Sequence, residues 1–157
     1  MATFGKISFR TLSTSSKRCL KDVVLVSGAR TPMGSFRGSL ASLSAPRLGA
    51  LAIEETLKRA DVDKEAVEEV YMGNVLPGGM MQAPDRQAAL FAGLPQSVPC
   101  TMINKVCASG MKSIMLAAGN LAVGRSKVAI AGGFESMSNV PFYMKRGDTP
   151  YGNYCGA

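Results

Sequence analysis

Histidine and tryptophan are absent from this 157-residue chain, and its four cysteines (Cys19, Cys100, Cys107 and Cys155) form no CxxC pair. A zinc site of the usual Cys/His kind therefore lacks ligands at usable spacing, and no metal is expected. No apolar run approaches the roughly 20 residues that a membrane-spanning helix needs, so no membrane is expected as a partner. Acidic residues are missing from residues 1–21, which hold Lys6, Arg10, Lys17, Arg18 and Lys21; residues 22–157 carry the remaining 13 basic groups against 11 acidic ones. The net charge of +7 is thus mostly an N-terminal property. The body has no Lys/Arg cluster interleaved with aromatics, which argues against nucleic acid as a partner.

What the N-terminus does contain is Ser, Thr and spaced basic residues, with Phe4, Ile7, Phe9 and Leu12 among them. Lys6, Arg10 and Lys17 fall on one side of a helix. This is the composition of an organelle transit peptide, without the apolar core of a secretory signal. Residues 1–20 are expected to be a mitochondrial leader, removed near Arg18–Leu20, with the matrix as destination. A reducing matrix also disfavours structural disulfides, so each thiol is judged separately.

The rest of the chain, in a sequence that is 46% hydrophobic, has room for one modest domain with a real core. Val23–Val26 is a short apolar run broken by Ser27–Gly28, the pattern of a buried strand and a loop. Ser44 and Pro46 start a helix with a buried stripe at Ala50, Ile53, Leu57 and Ala60, and with the i,i+4 pairs Glu54/Lys58 and Glu55/Arg59 on its wet side. Strands are expected at Glu69–Val75, Cys100–Asn104 and Lys127–Ala131, and a helix at Pro84–Ala92, stopped by Gly93 and Pro95. The resulting order, β-α-β-α-β-α-β, predicts an α/β domain with largely parallel strands and helices on both faces.

Between the third and fourth strands lies NKVCASGMKSIMLAAGNLAVG, residues 104–124. From Met111 to Val123 its helix carries a single charge, Lys112, and a helix that is apolar all round calls for cover all round. Cys107 stands where the strand hands over to this helix. Backbone N–H groups at a helix start favour the thiolate, the nucleophilic form, and Ala108, Ser109 and Gly110 leave the sulfur sterically open. An arbitrary cysteine is more often a small buried hydrophobe; its position, small neighbours and helix separate Cys107 from that reading.

The blocks VSGARTPMGSFRGSL, YMGNVLPGG, QAPDRQAAL, NKVCASGMKS and AGGFESMSNVPF, occurring in this order, resemble the thiolase family, and within it the mitochondrial acetoacetyl-CoA thiolases. The resemblance covers about Lys21 to Gly152. It implies the layered αβαβα thiolase fold, of which residues 21–157 would be an incomplete N-terminal half, with the cysteine-bearing helix sandwiched between two sheets. It implies acetyl-CoA and acetoacetyl-CoA as substrate and product, CoA being the only cofactor-like group, and a homo-oligomer, dimer or tetramer. Cys107 would attack the acetyl thioester, with its own backbone N–H in the oxyanion hole. A longer-chain 3-ketoacyl-CoA thiolase shares this chemistry and stays open as an alternative.

The family also uses a histidine that activates the nucleophile and a second cysteine that serves as base. This chain has no His, and neither Cys100 nor Cys155 stands at the matching place. The CoA-binding residues are likewise not among those present. The expectation is that the chain is inactive alone, or that it is a non-catalytic fragment able only to associate with full-length subunits. Met80–Met81 and Phe134 also depart from the family pattern. AGGFESMS lacks the GxGxxG order of a phosphate cradle, so Gly132 and Gly133 are expected to allow close backbone approach; Glu135, a lone acid, reads as structural.

Overall fold

The computed structural model describes residues 20–144. The expected leader, Leu20 apart, and Cys155 lie outside the described residues. Three parallel strands, β1 (Glu69–Gly73), β2 (Cys100–Ile103) and β3 (Ala129–Gly133), form one sheet in the order β2-β1-β3. Helices α1 (Ala45–Ala60), α2 (Pro84–Phe91) and α3 (Ser109–Ala122) alternate with them in sequence. β1 lies centrally because both neighbours pair with it, Val70 standing beside Cys100 on one side and Ile130 on the other.

The period-2 alternation of β1 divides the domain. Val70 and Met72 point into the apolar cluster formed with Ala50, Ile53 and Leu57 of α1 and with Ala88 and Ala89 of α2. Tyr71 and Gly73 point to the other face, under α3: Asn120 of α3 donates to Tyr71 Oη and to Glu69, and Gly73 abuts Ser109 and Gly110. The helices therefore cover both faces, as the pattern of the sequence requires.

Local signals behave unevenly. Pro46 lies in the first turn of α1 and Ser44 is its N-cap residue, although the Ser44 side chain makes no capping hydrogen bond. Ala50, Ile53 and Leu57 are buried while Ala60 is only partly so, and Glu55 pairs with Arg59 at 2.7 Å. Gly93 and Gly124 end α2 and α3 with φ of +78° and +75°, a conformation that costs other residues of order 1–2 kcal/mol. Met81 occupies similar ground at φ +63° without glycine's freedom, so the Met80–Met81 departure falls on a turn.

One expectation is corrected. Val23–Val26 forms no strand: Val24 and Leu25 are 76% and 87% exposed, and the stretch is held from its ends, where Lys21 N–H donates to Ala122 O and Arg59 reaches Gly28 O. An apolar run becomes a strand only when another strand offers a hydrogen-bonding edge, and none is alongside it among the described residues. A further finding concerns α3. It buries Ser109, Ser113 and Ala117 against the sheet, whereas Met111, Ile114 and Met115 are 67%, 50% and 60% exposed. No described element lies against that outer face, so its cover is one-sided.

Two measurements follow from this packing. Ile53 is 2% exposed, and Ile53→Ala should cost about 2–5 kcal/mol in urea unfolding, whereas Ile114→Ala should stay within about 0.5 kcal/mol of the parent. Burial, followed by the hydrogen bond to Glu69, pushes the Tyr71 phenol up to about 12. The unfolded chain loses that proton near the ordinary value of about 10 and the folded chain keeps it longer, so this contribution is complete below pH 10 and is lost as pH rises toward 12. Ultraviolet phenolate titration should show one tyrosine ionising late, and Tyr71→Phe should remove that step.

Candidate active site

The strand ends gather the site. At the C-terminal edge of a parallel sheet the chain leaves each strand into a loop, and α/β folds bind ligands there. A cleft of about 630 Å³ opens at this edge; its lining includes Cys107, Ser109, Gly110, Gly73, Asn74, Val75 and the Gly133–Ser138 turn, with Ala29–Phe36 across from them. The chain that continues this wall, residues 37–43, is pinned to the turn after β3: Asn139 donates to Ala41 O and Leu43 O, Ser136 Oγ to Leu43 O, and Arg37 N–H to Ser138 Oγ.

Cys107 is exposed in this cleft and sits two residues before α3. Its turn is tightly wound. Val106 has φ +51°, unusual for a β-branched residue, and its N–H donates to Asn104 Oδ1 at 3.0 Å. Ser109 Oγ accepts from Lys105 N–H at 2.8 Å and donates to Val106 O at 2.5 Å. Ala108 and Ser109 N–H groups close the turn onto Lys105 O and Val106 O. No side chain caps the start of α3, so its partial positive charge is left facing the cleft edge.

The approach of α3 to the sheet depends on residues without bulk. A Cβ on Gly73 would lie 2.5 Å from the Ser109 carbonyl carbon, and one on Gly133 would lie 3.1 Å from Gly73 O and 3.4 Å from Gly110 Cα. Gly133 therefore has the close-approach role read from the sequence, while Gly132 has more room, with Met72 Sδ 3.6 Å from such a Cβ.

Glu135 is placed by the same edge. Its carboxylate accepts from Val75 N–H at 2.8 Å, Asn74 Nδ2 at 2.9 Å and Leu76 N–H at 3.2 Å, which is the structural use expected of a lone acid. Asn74, only 1% exposed, also donates to Phe134 O, and its Oδ1 has no hydrogen-bond partner among the described residues. Asn74 and Asn104 escaped the sequence reading. For Asn104 a signal existed, since Asn two residues before a tight turn is an Asx-turn former; for Asn74 there was none, because its partners lie about sixty residues away.

Cys100 stands apart. It begins β2, at the opposite end of the sheet from the cleft, and its thiol is half-buried with Sγ 3.6 Å from Val98 O. Burial pushes the Cys100 thiol up, and the Asp85 carboxylate adds to the effect, so it is a poor source of thiolate. Cys107 alone of these two lines the cleft.

A family model described as the thiolase N-terminal domain matches residues 23–153. The mitochondrial acetyl-CoA acetyltransferase of Bos taurus is 59% identical over 147 residues, 94% of this chain and 35% of its own length. That of Homo sapiens is 61% identical over 137 residues, 87% of this chain and 32% of its own. Among solved structures, the Acat5 thiolase of Ascaris suum, in complex with coenzyme A, superposes with a TM-score of 0.80 at 45% identity, covering 84% of this chain and 35% of the neighbour. The chain thus spans about a third of the length of these relatives. A parallel sheet whose strand ends carry a cysteine at the head of a helix, matched over most of its length at this identity, makes the chain a member of the thiolase family.

Proposed function

We propose that this chain carries the acyl-accepting portion of an acetyl-CoA acetyltransferase, with Cys107 as the nucleophile. The observation that carries the reading is the exposed Cys107 thiol at the uncapped start of α3, in a cleft at the C-terminal edge of the sheet. Relatives named acetyl-CoA acetyltransferase, and a neighbour bound to coenzyme A, support the choice of acyl-CoA as substrate class. Their mitochondrial names support a mitochondrial location, and the basic, Ser/Thr-rich composition of residues 1–20 supports the matrix as the finer reading.

This reading implies the following first half-reaction. Cys107 thiolate attacks the acetyl thioester carbon; the Cys107 N–H donates to the oxyanion as it forms, and CoA thiolate leaves while the new S–C bond holds the acetyl group. A second acetyl-CoA, deprotonated at its α-carbon, then takes the acetyl group to give acetoacetyl-CoA, and thiolysis is the reverse. That second step needs a base at the α-carbon, the role that the family resemblance gives to a second cysteine. In this reading the enzyme works as a homo-oligomer, a dimer or tetramer.

A second reading rests on α3. Met111, Ile114 and Met115 leave an apolar face bare, and such a face suits association with a longer subunit.

The test is intact-mass spectrometry with peptide mapping after incubation with acetyl-CoA. One acetyl group on Cys107, absent from Cys107→Ser, is the expected result. No adduct, or equal labelling of Cys100, would overturn the nucleophile assignment for this chain.

A further inference from the structure

The Val75 peptide is held from both sides. Its N–H donates to Glu135 Oε2 at 2.8 Å, and its carbonyl accepts from Asn104 Nδ2 at 3.2 Å. Asn104 turns its other end to the nucleophile: Oδ1 accepts from Val106 N–H at 3.0 Å and so holds the residue at φ +51° immediately before Cys107. Glu135 is itself fixed by buried Asn74, whose Nδ2 donates to it at 2.9 Å while also donating to Phe134 O at 3.0 Å. One continuous hydrogen-bonded line therefore runs from the end of β3, through the loop after β1, to the turn at the head of α3.

Each link has a chemical reason. An isoleucine- or valine-type residue at positive φ is strained by its Cβ, so the conformation persists only where its surroundings hold it. An amide side chain can accept from Val106 and donate to Val75 at once, whereas a carboxylate in the same place can only accept. A carboxylate accepting from two backbone N–H groups and an amide makes charge-assisted bonds, stronger than neutral ones.

We propose that Glu135 and Asn104 act together as positioning residues for Cys107, with the Val75 peptide as the strut between them. The inference deepens the nucleophile reading given above and rests on it. Neither side chain touches the reacting atoms in this role; they hold the turn that carries Cys107 into the cleft.

The test is the rate at which iodoacetamide alkylates Cys107, read by peptide mapping against Cys100 in the same intact chain. Asn104→Ala and Glu135→Ala should each slow Cys107 about fivefold, the size expected for losing a hydrogen bond of about 1 kcal/mol, and leave Cys100 within twofold. Glu135→Gln, which keeps a carbonyl oxygen for the Val75 N–H, should restore most of the lost rate. The double variant should be little slower than Asn104→Ala, because both act through one strut. Unchanged Cys107 rates would overturn the proposal, as would faster labelling of Cys100 in step with Cys107, the mark of general loosening. Acetyl-CoA run in parallel separates the two claims: alkylation differences that persist while wild-type Cys107 takes no acetyl group uphold the positioning and sink the acyl-transfer reading.

Discussion

The contact on which the site depends is the close approach of α3 to the ends of β1 and β3. Helix and sheet meet there through Gly73, Gly110 and Gly133 with Ser109 and Ser113 beside them, and the room for a single methyl group on Gly73 is already taken by the Ser109 and Gly110 backbone. Bulk at this point would lift the helix start from the sheet. Because it stays down, the turn 104–108 is drawn over the C-terminal edge and Cys107 emerges into the cleft rather than into the core. The same contact explains why the buried side of α3 is made of Ser109, Ser113 and Ala117 while its large side chains face outward.

The two sides of the sheet are held by different forces. Under Val70 and Met72 the packing is apolar and continuous through α1 and α2, the arrangement that supplies most of a domain's stability. On the α3 side, polar groups dominate: Glu69, Tyr71 and Asn120 form one cluster at the far end, and Asn74, Glu135 and Asn104 form another at the cleft. Hydrogen bonds contribute less per contact than burial, yet they fix direction, here the direction of the turn that carries Cys107.

The sequence displayed this architecture unevenly, for physical reasons. Helices α1 and α2 and the three paired strands were legible within about two residues, because stripe, proline start and glycine stop are local signals. The place of Cys107 at an open strand-to-helix turn was legible through its small neighbours and the apolar helix after it. Val23–Val26 misled, since an apolar run records a tendency to be buried but not the presence of a pairing edge. The all-round apolarity of α3 likewise recorded a need for cover that the described residues meet on one face. Asn74 was invisible because its hydrogen bonds close a loop of about sixty residues, and no spacing rule reaches that far.

The measurement that tests this account most directly is urea unfolding of Gly73→Ala beside Gly119→Ala. Both glycines contact the same helix or lie within it, but a Cβ on Gly119 meets nothing within 4 Å, whereas one on Gly73 meets backbone at 2.5 Å. Gly119→Ala should be neutral or stabilising by up to about 1 kcal/mol, through helix propensity alone, while Gly73→Ala should cost about 1–3 kcal/mol through overpacking. Equal stability of the two variants would contradict the claim that the closeness of α3 to the strand ends builds the site.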